Sequence, residues 1–568
     1  MNSKKILYIT KKSFLLIIVL IVFQTIIKAQ ETVIIVDTYT PIISDAFKEN
    51  ENPRINDTVV EKLNFTYTIS PKLQPTFFAV EPIKPAKMVG EPLTKLYKSY
   101  IKAGFGTKTT PMLEFYLGTL RSTTQSVGIY FKHLSSYGKI KNYGYPGFSD
   151  NNAGIHGQKF YKNHTLSAEV NYKRNVIHYY GFEPLNFISI KDIDNKDSIK
   201  QRFSKIGGQL KYFSTYTDST KLNHSFAIKY FNLSDIYFSV EDYIGFNGKI
   251  DKNISILGKS FYSQNLGLSA DIDYYNDKNK TSPLLDSLSG GVVNIAPYFS
   301  AKYNILKLSF GLNASVRVSD DSKIFLYPDA KFSINIYDNI FVIYGAFTGG
   351  IKKNNLIDIS NENPFINTLL PLEFTNTKTK FMGGFKGSIS SNLSFNAHIS
   401  KSLVDNLPLY INDTTTKLYN KFTLIYDKAE ILNTNVEITY QKTEKIKFVL
   451  TSNYYHYTMD KELFAWHKPN MDIKLSLNYN LKNKIIIKTE LYGLSSTKAK
   501  TFETGINLGI KEVNLKGTVD VNLGLEYRYS KILSGFINFN NIGAVRYQRW
   551  NNYPRYGFTV LGGVTYAL

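Results

Sequence analysis

The chain of 568 residues has no cysteine and only two tryptophans. Lacking cysteine, it has no disulfide scaffold, thiolate metal site, cysteine nucleophile or cysteine-linked lipid anchor. Long apolar runs are also scarce. Beyond residue 23 no stretch approaches the roughly 20 residues a membrane-spanning helix needs, which excludes a helical membrane protein. No Gly-x-Ser-x-Gly elbow occurs. The eight histidines, His133, His156, His164, His178, His224, His398, His456 and His467, show no metal-ligand spacing on a helix. Each is expected to be exposed or lumen-facing. Asp192-Ile-Asp194-Asn-Lys-Asp197 starts like a calcium loop, but Lys196 stands where a ligand is wanted and no glutamate follows at the twelfth position. A solvated loop is the simpler reading. The chain is therefore not expected to be an enzyme or to hold a cofactor or metal. Acidic residues are few as well, 46 Asp and Glu against 68 Lys and Arg, for a net charge of +22.

What the chain does hold is aromatic residues, 14% of the total, nearly all among 42 Tyr and 38 Phe. So many tyrosines inside a soluble core would each need a partner for the hydroxyl. A protein with two apolar–water boundaries gives amphipathic rings a natural place.

Residues 1–29 read as a secretory signal peptide: Lys4, Lys5, Lys11 and Lys12, an apolar run from Phe14 to Phe23, and cleavage after Ala29. Residues 30–95 carry seven of the 18 prolines and a charge of −2. Proline fixes φ and cannot donate to a ladder, so this segment is expected to be extended and irregular, in the periplasm or inserted in a lumen.

From residue 96 to 568 the pattern changes to strand after strand. Leu475, Leu477, Tyr479 and Leu481 alternate with Lys474, Ser476, Asn478 and Asn480. Leu523, Leu525, Tyr527 and Tyr529 alternate in the same way with Asn522, Gly524, Glu526 and Arg528. Period two means a sheet with one apolar and one polar face, and no convincing helical periodicity is found. Tight turns are expected at Tyr303-Asn304, Asp338-Asn339, Ser391-Asn392, Thr443-Glu444, Lys482-Asn483 and Ser530-Lys531. Longer polar connections fall at Tyr137–Asn152, Glu183–Lys196, Asn276–Gly290 and Lys352–Asn367. Alternating short and long connections, at roughly 45 residues per pair of strands, predict an all-β, transmembrane antiparallel barrel of about 22 strands, within 20–24. A bilayer tolerates no open sheet edge, so the sheet must close. At the end of the chain Phe558, Val560, Val564, Tyr566 and Leu568 share one face, which suits a barrel-closing strand.

The final segment supplies a resemblance. Asn540-Asn541-Ile542, Tyr547-Gln-Arg-Trp550, Tyr553-Pro554 and Leu561-Gly-Gly-Val-Thr-Tyr566 look like the end of TonB-dependent receptor barrels, closest to those of the Bacteroidetes. The close match covers roughly the last fifty residues, and Leu568 replaces the usual terminal aromatic. The resemblance implies a 22-stranded barrel in the outer membrane of a Gram-negative bacterium, built by the barrel assembly machinery and surrounded by lipid and lipopolysaccharide. It also implies an N-terminal plug of well over a hundred residues, which residues 30–95 are too few to supply. Glu31-Thr32-Val33-Ile34-Ile35-Val36 resembles a TonB box, recruiting TonB or another periplasmic partner by β-augmentation; an ordinary tucked strand is the other reading.

The charge divides into +5 on the signal peptide, −2 on residues 30–95 and +19 on the barrel region. Lumenal cations favouring anionic solutes, rim cations pairing with lipopolysaccharide, and compositional bias all fit that excess. An exported barrel is not expected to meet nucleic acid. Two functions follow. One is a channel or receptor-like barrel for solute passage, with residues 30–95 as a reduced plug. The other is a non-transporting subunit that scaffolds an outer-membrane assembly or export complex.

Overall fold

The computed structural model describes residues 97–187, 195–218, 220–258, 260–279, 289–337, 340–502 and 509–568. Residues 1–29, expected to be a signal peptide, residues 30–95 with Glu31–Val36, the expected Asp338-Asn339 turn and Asp192–Asp194 lie outside the described residues.

Twenty-two strands form one sheet in which every neighbour is antiparallel and sequential. The sheet closes where the first strand, Ser99–Gly106, pairs with the last, Thr559–Ala567, in a register running from Tyr100↔Ala567 to Gly106↔Leu561. Closure leaves no unpaired edge. At this seam Gly563 has a steric reason for lacking a side chain, since a Cβ there would strike the Ala103 carbonyl oxygen. The wall is uneven in height. Strands at the seam have 8 and 9 residues, whereas Leu393–Asn412 and Phe422–Lys442, seven and six strands away, have 20 and 21.

The two-residue period sorts the side chains. Phe310, Leu312, Leu326, Phe381, Ile399 and Tyr527 are exposed on the outer face, and their neighbours in sequence, such as Ser309, Asn313, Lys380 and Glu526, point the other way. An outward apolar surface around a polar interior is the arrangement a bilayer selects.

The two ends differ as the alternation predicts. At one end, connections at 304–305, 391–392, 443–445, 482–484 and 529–532 are tight turns, with Asn304, Thr443, Lys482 and Asn483 at φ between 48 and 57°. At the other end lie the long connections 137–147, 179–199, 354–373, 413–421, 460–470, 495–517 and 541–558. Their boundaries depart from the sequence pattern. Phe148–Asn152, expected in a connection, opens the strand Phe148–Phe160, and Asn276–Asn279 ends the strand Tyr262–Asn279. Polar residues there continue the ladder because a rim above the bilayer does not need an apolar face.

The connection 354–373 also contains a helix, Leu356–Glu362, with Asn355 as N-cap. Seven residues are too few to show a helical period, but Leu356 and Ile359, three apart, are both buried. A hairpin of Thr497–Phe502 with Ile510–Leu515 lies in the connection 495–517.

Candidate functional site

Among the described residues, the largest buried apolar cluster lies in a cap built by the long connections at one end of the barrel. Its apolar centre joins Leu356, Ile359, Ile366, Leu370 and Leu372 of the connection 354–373 to Phe422, Trp550 and Tyr553. Ile366 and Phe422 are fully buried. They form a short parallel bridge, in which Phe422 N donates to Phe365 O and Asn367 N donates to Phe422 O at 3.0 and 2.8 Å. Tyr553 is the keystone. Its ring stacks on Phe365 with centroids 3.7 Å apart and meets Tyr180 edge-on at 4.9 Å. Its hydroxyl donates to Asn420 O.

Polar contacts tie the connections to one another. Tyr179 donates to Ile366 O at 2.8 Å, Tyr180 to Pro554 O at 3.0 Å, and Asn420 Nδ2 to Tyr179 O at 2.6 Å. Asn367 Nδ2 donates to Asp413 at 2.7 Å, and Asn551 Nδ2 to Asn412 Oδ1 at 2.9 Å. Each bond crosses between segments far apart in sequence, so losing one segment strands buried donors on another. The helix is fixed to the wall by Glu241, whose carboxylate accepts from Leu356 N at 2.6 Å and Ile357 N at 3.2 Å. Lys353, just before it, pairs with Asp277.

Burial shapes the titrating groups of the cap. His467 is held well below the usual histidine range, to about 4, chiefly by burial. It is neutral, with Nδ1–H donating to Tyr410 O at 2.9 Å and Nε2 accepting from Asn551 N at 3.3 Å. Burial lowers Lys421 too, although its ammonium lies over the rings of Tyr179 and Tyr237 at 4.6 and 4.2 Å. Burial raises the hydroxyls of Tyr179 and Tyr553 far above their ordinary value. The expectation of exposed or lumen-facing histidines is therefore corrected at His467 and His178, which are 2% and 8% exposed. Packing of distant connections, invisible in local sequence, buries both.

A cavity of about 470 Å³ opens beside the cap. His178, Tyr180, Phe365, Asp520, Arg555 and Tyr556 are among its lining residues. Asp520 accepts from Tyr547 Oη at 3.1 Å through one oxygen, while the other is buried without a partner. Aromatic walls with one acid, one guanidinium and one imidazole suit a small amphipathic guest. Among the described residues no group of three His, Asp or Glu is placed to hold a metal.

The predicted closing residues converge on no such chemistry. Val564 stands opposite Ala103 and Gly535, and Tyr566 opposite Ile101 and Leu533. Val560 faces Phe539, Phe558 stacks on Phe539 with centroids 6.3 Å apart, and Leu568 exchanges backbone bonds of 2.9 Å with Ser99. The segment that carries the family resemblance has a second role, because Trp550 and Tyr553 sit in the cap. Both tryptophans of the chain, Trp466 and Trp550, are buried in the cap connections. Aromatics concentrated in otherwise polar connections were the available signal for the cap.

No protein-family model matches the chain, and no curated protein matches it by sequence. Solved structures do match. The pyoverdine outer membrane receptor FpvA from Pseudomonas aeruginosa PAO1, bound to pyoverdine, aligns over 84% of this chain and 79% of its own, with 11% identity and a TM-score of 0.60. The FrpB iron transporter from Neisseria meningitidis (F3-3 variant) aligns over 84% and 82%, with 11% identity and a TM-score of 0.61. The copper transporter OprC aligns over 84% and 82%, with 11% identity and a TM-score of 0.57. At this identity the likeness concerns the fold: the chain is a closed 22-stranded barrel like those of these receptors and transporters.

Proposed function

We propose that this chain is an outer-membrane barrel of the TonB-dependent receptor type that passes a solute through its lumen when the cap opens. Residues 1–29 direct export, and residues 96–568 are inserted by the barrel assembly machinery among lipid and lipopolysaccharide of a Gram-negative outer membrane. The tight turns face the periplasm. Residues 30–95 serve as a reduced plug, and Glu31–Val36 offer a strand to TonB or another periplasmic partner. The observation that carries this reading is a closed sheet with an apolar outer face, a polar inner face and an ordered mouth.

The extent of the cap favours a second reading, in which the barrel does not transport and scaffolds an assembly or export complex. Reconstitution in planar bilayers separates the two. Transport predicts a closed native protein, with conductance on loosening the cap by Tyr553→Ala combined with deletion of residues 31–95. A doubly altered barrel that inserts but stays silent, together with stoichiometric partners in affinity purification, would transfer the conclusion to the scaffold.

A further inference from the structure

The inner wall carries a second, separate feature at the turn end. Lys249, Tyr298, Lys307, Lys331, Tyr344 and Lys386 line one cavity of about 520 Å³. Lys307 and Lys331 lie on the face opposite the exposed Phe310 and Leu326, and so point inward. Lys307 stands directly across from Lys302 on the neighbouring strand. Like charges in that position destabilise a sheet unless something negative lies between them. The row beside this pair is built from small side chains: Ser300 opposite Ser309, and Lys307 opposite Ser333. The floor is therefore open and lined with hydroxyls.

Apart from Lys331, the ammonium groups are held but not neutralised by an ion pair among the described residues. Lys249 lies 5.4 Å from the centroid of Tyr298, and Lys386 lies 5.5 Å from that of Tyr344. Lys331 pairs with Asp329 at 2.7 Å. Asp251 lies at the edge, where it accepts from Asn223 at 3.4 Å. Among the described residues, Lys249, Lys302, Lys307 and Lys386 have no ion pair. The opposite wall differs, because there cations and acids alternate, as in Arg528 with Glu526 at 3.6 Å.

We propose that this wall is a binding site for an anionic solute bearing two or more phosphate or carboxylate groups. Lys307 and Lys386 are three strands apart, about 14 Å at the usual strand spacing, so one small monovalent anion does not bridge them. With the cap across the other end, the anion reaches the site from the turn side. The assignment depends on the charge layout of the barrel and not on solute transport, so either function can fail without the other.

The test uses the full-length protein in detergent, with inorganic pyrophosphate and citrate as probes in titration calorimetry. Saturable binding is expected, weakened at least tenfold by Lys307→Gln with Lys386→Gln and weakened by added salt. Unchanged heat-modifiable gel mobility verifies that the variant folds, and Lys474→Gln, four strands beyond that of Lys386, should leave binding intact. Absence of saturable binding, or equal loss with Lys474→Gln, would overturn the site. Zero-length carbodiimide crosslinking covers the other source of carboxylates. Crosslinks from Lys307 or Lys386 to acids of residues 30–95 would assign the wall to the chain's own leader and overturn a solute site.

Discussion

The two ends of the barrel are built on opposite principles. At the turn end most hairpins close within two to four residues, the longer connections 119–124, 215–222 and 255–261 excepted. At the cap end Tyr179, Ile366, Asn420, His467 and Tyr553 come from five different connections and depend on one another. Local closure is robust where the loop is short and its entropy cost small. The cap is cooperative, since buried donors and apolar surface are shared among segments. This arrangement predicts that the cap loosens before the wall does.

The strongest way to break the contrast is Tyr553→Ala. Removing a fully buried ring stacked on Phe365, together with the hydroxyl bonded to Asn420, should cost the cap about 3–5 kcal/mol. Both tryptophans lie in the cap, so emission should shift to the red and the connections become open to protease, while heat-modifiable mobility persists. A variant that loses the barrel as well would show that cap and wall fold as one unit.

A smaller effect comes from pH. His467 titrates near 4 in the cap and near 6.5 in an open chain. Between those values the open form binds the extra proton, so cap stability is present above 6.5 and falls as pH drops toward 4. From pH 7 to 5 the loss is about 2 kcal/mol. Trp550, with its ring 5.3 Å from His467, should report it by fluorescence. His467→Gln should flatten the profile; a profile unchanged by that substitution would move the sensitivity to other groups.

The same contrast explains what was legible in the sequence. Leu475 to Leu481 and Leu523 to Tyr529 displayed their strands openly, because a strand between lipid and water must alternate one residue at a time. Tyr303-Asn304 and Lys482-Asn483 marked their turns, because asparagine is among the few residue types that accept the required backbone. The cap left no such trace. Ile366, Leu370 and Leu372 belong to no period, and what buries them is Phe422 and Tyr553, some 50 and 180 residues away along the chain. The short helix Leu356–Glu362 was invisible for the same reason, since its stability comes from Glu241 on the wall and from the apolar cluster. The basic wall was half visible: a net +19 was evident, but the concentration of Lys249, Lys307, Lys331 and Lys386 on one side follows from the closure of the sheet.

The smallest expected effect lies at the turn end and tests whether its hairpins are independent. Thr443 takes φ of 52°. A β-branched residue in that left-handed region crowds its own Cβ against the backbone, at about 1–2 kcal/mol. Glycine removes the crowding and returns part of the gain as greater freedom of the unfolded chain, about 0.5–1 kcal/mol. Thr443→Gly should therefore stabilise the barrel toward urea in lipid vesicles by ~1 kcal/mol or less. Asn304→Gly, at φ of 48°, should give less, because asparagine already tolerates this conformation. Tryptophan emission should be unchanged in both, since no turn contact reaches Trp466 or Trp550. If Thr443→Gly altered the emission, the ends would be coupled through the long strand Phe422–Lys442, which runs from the cap core to this turn.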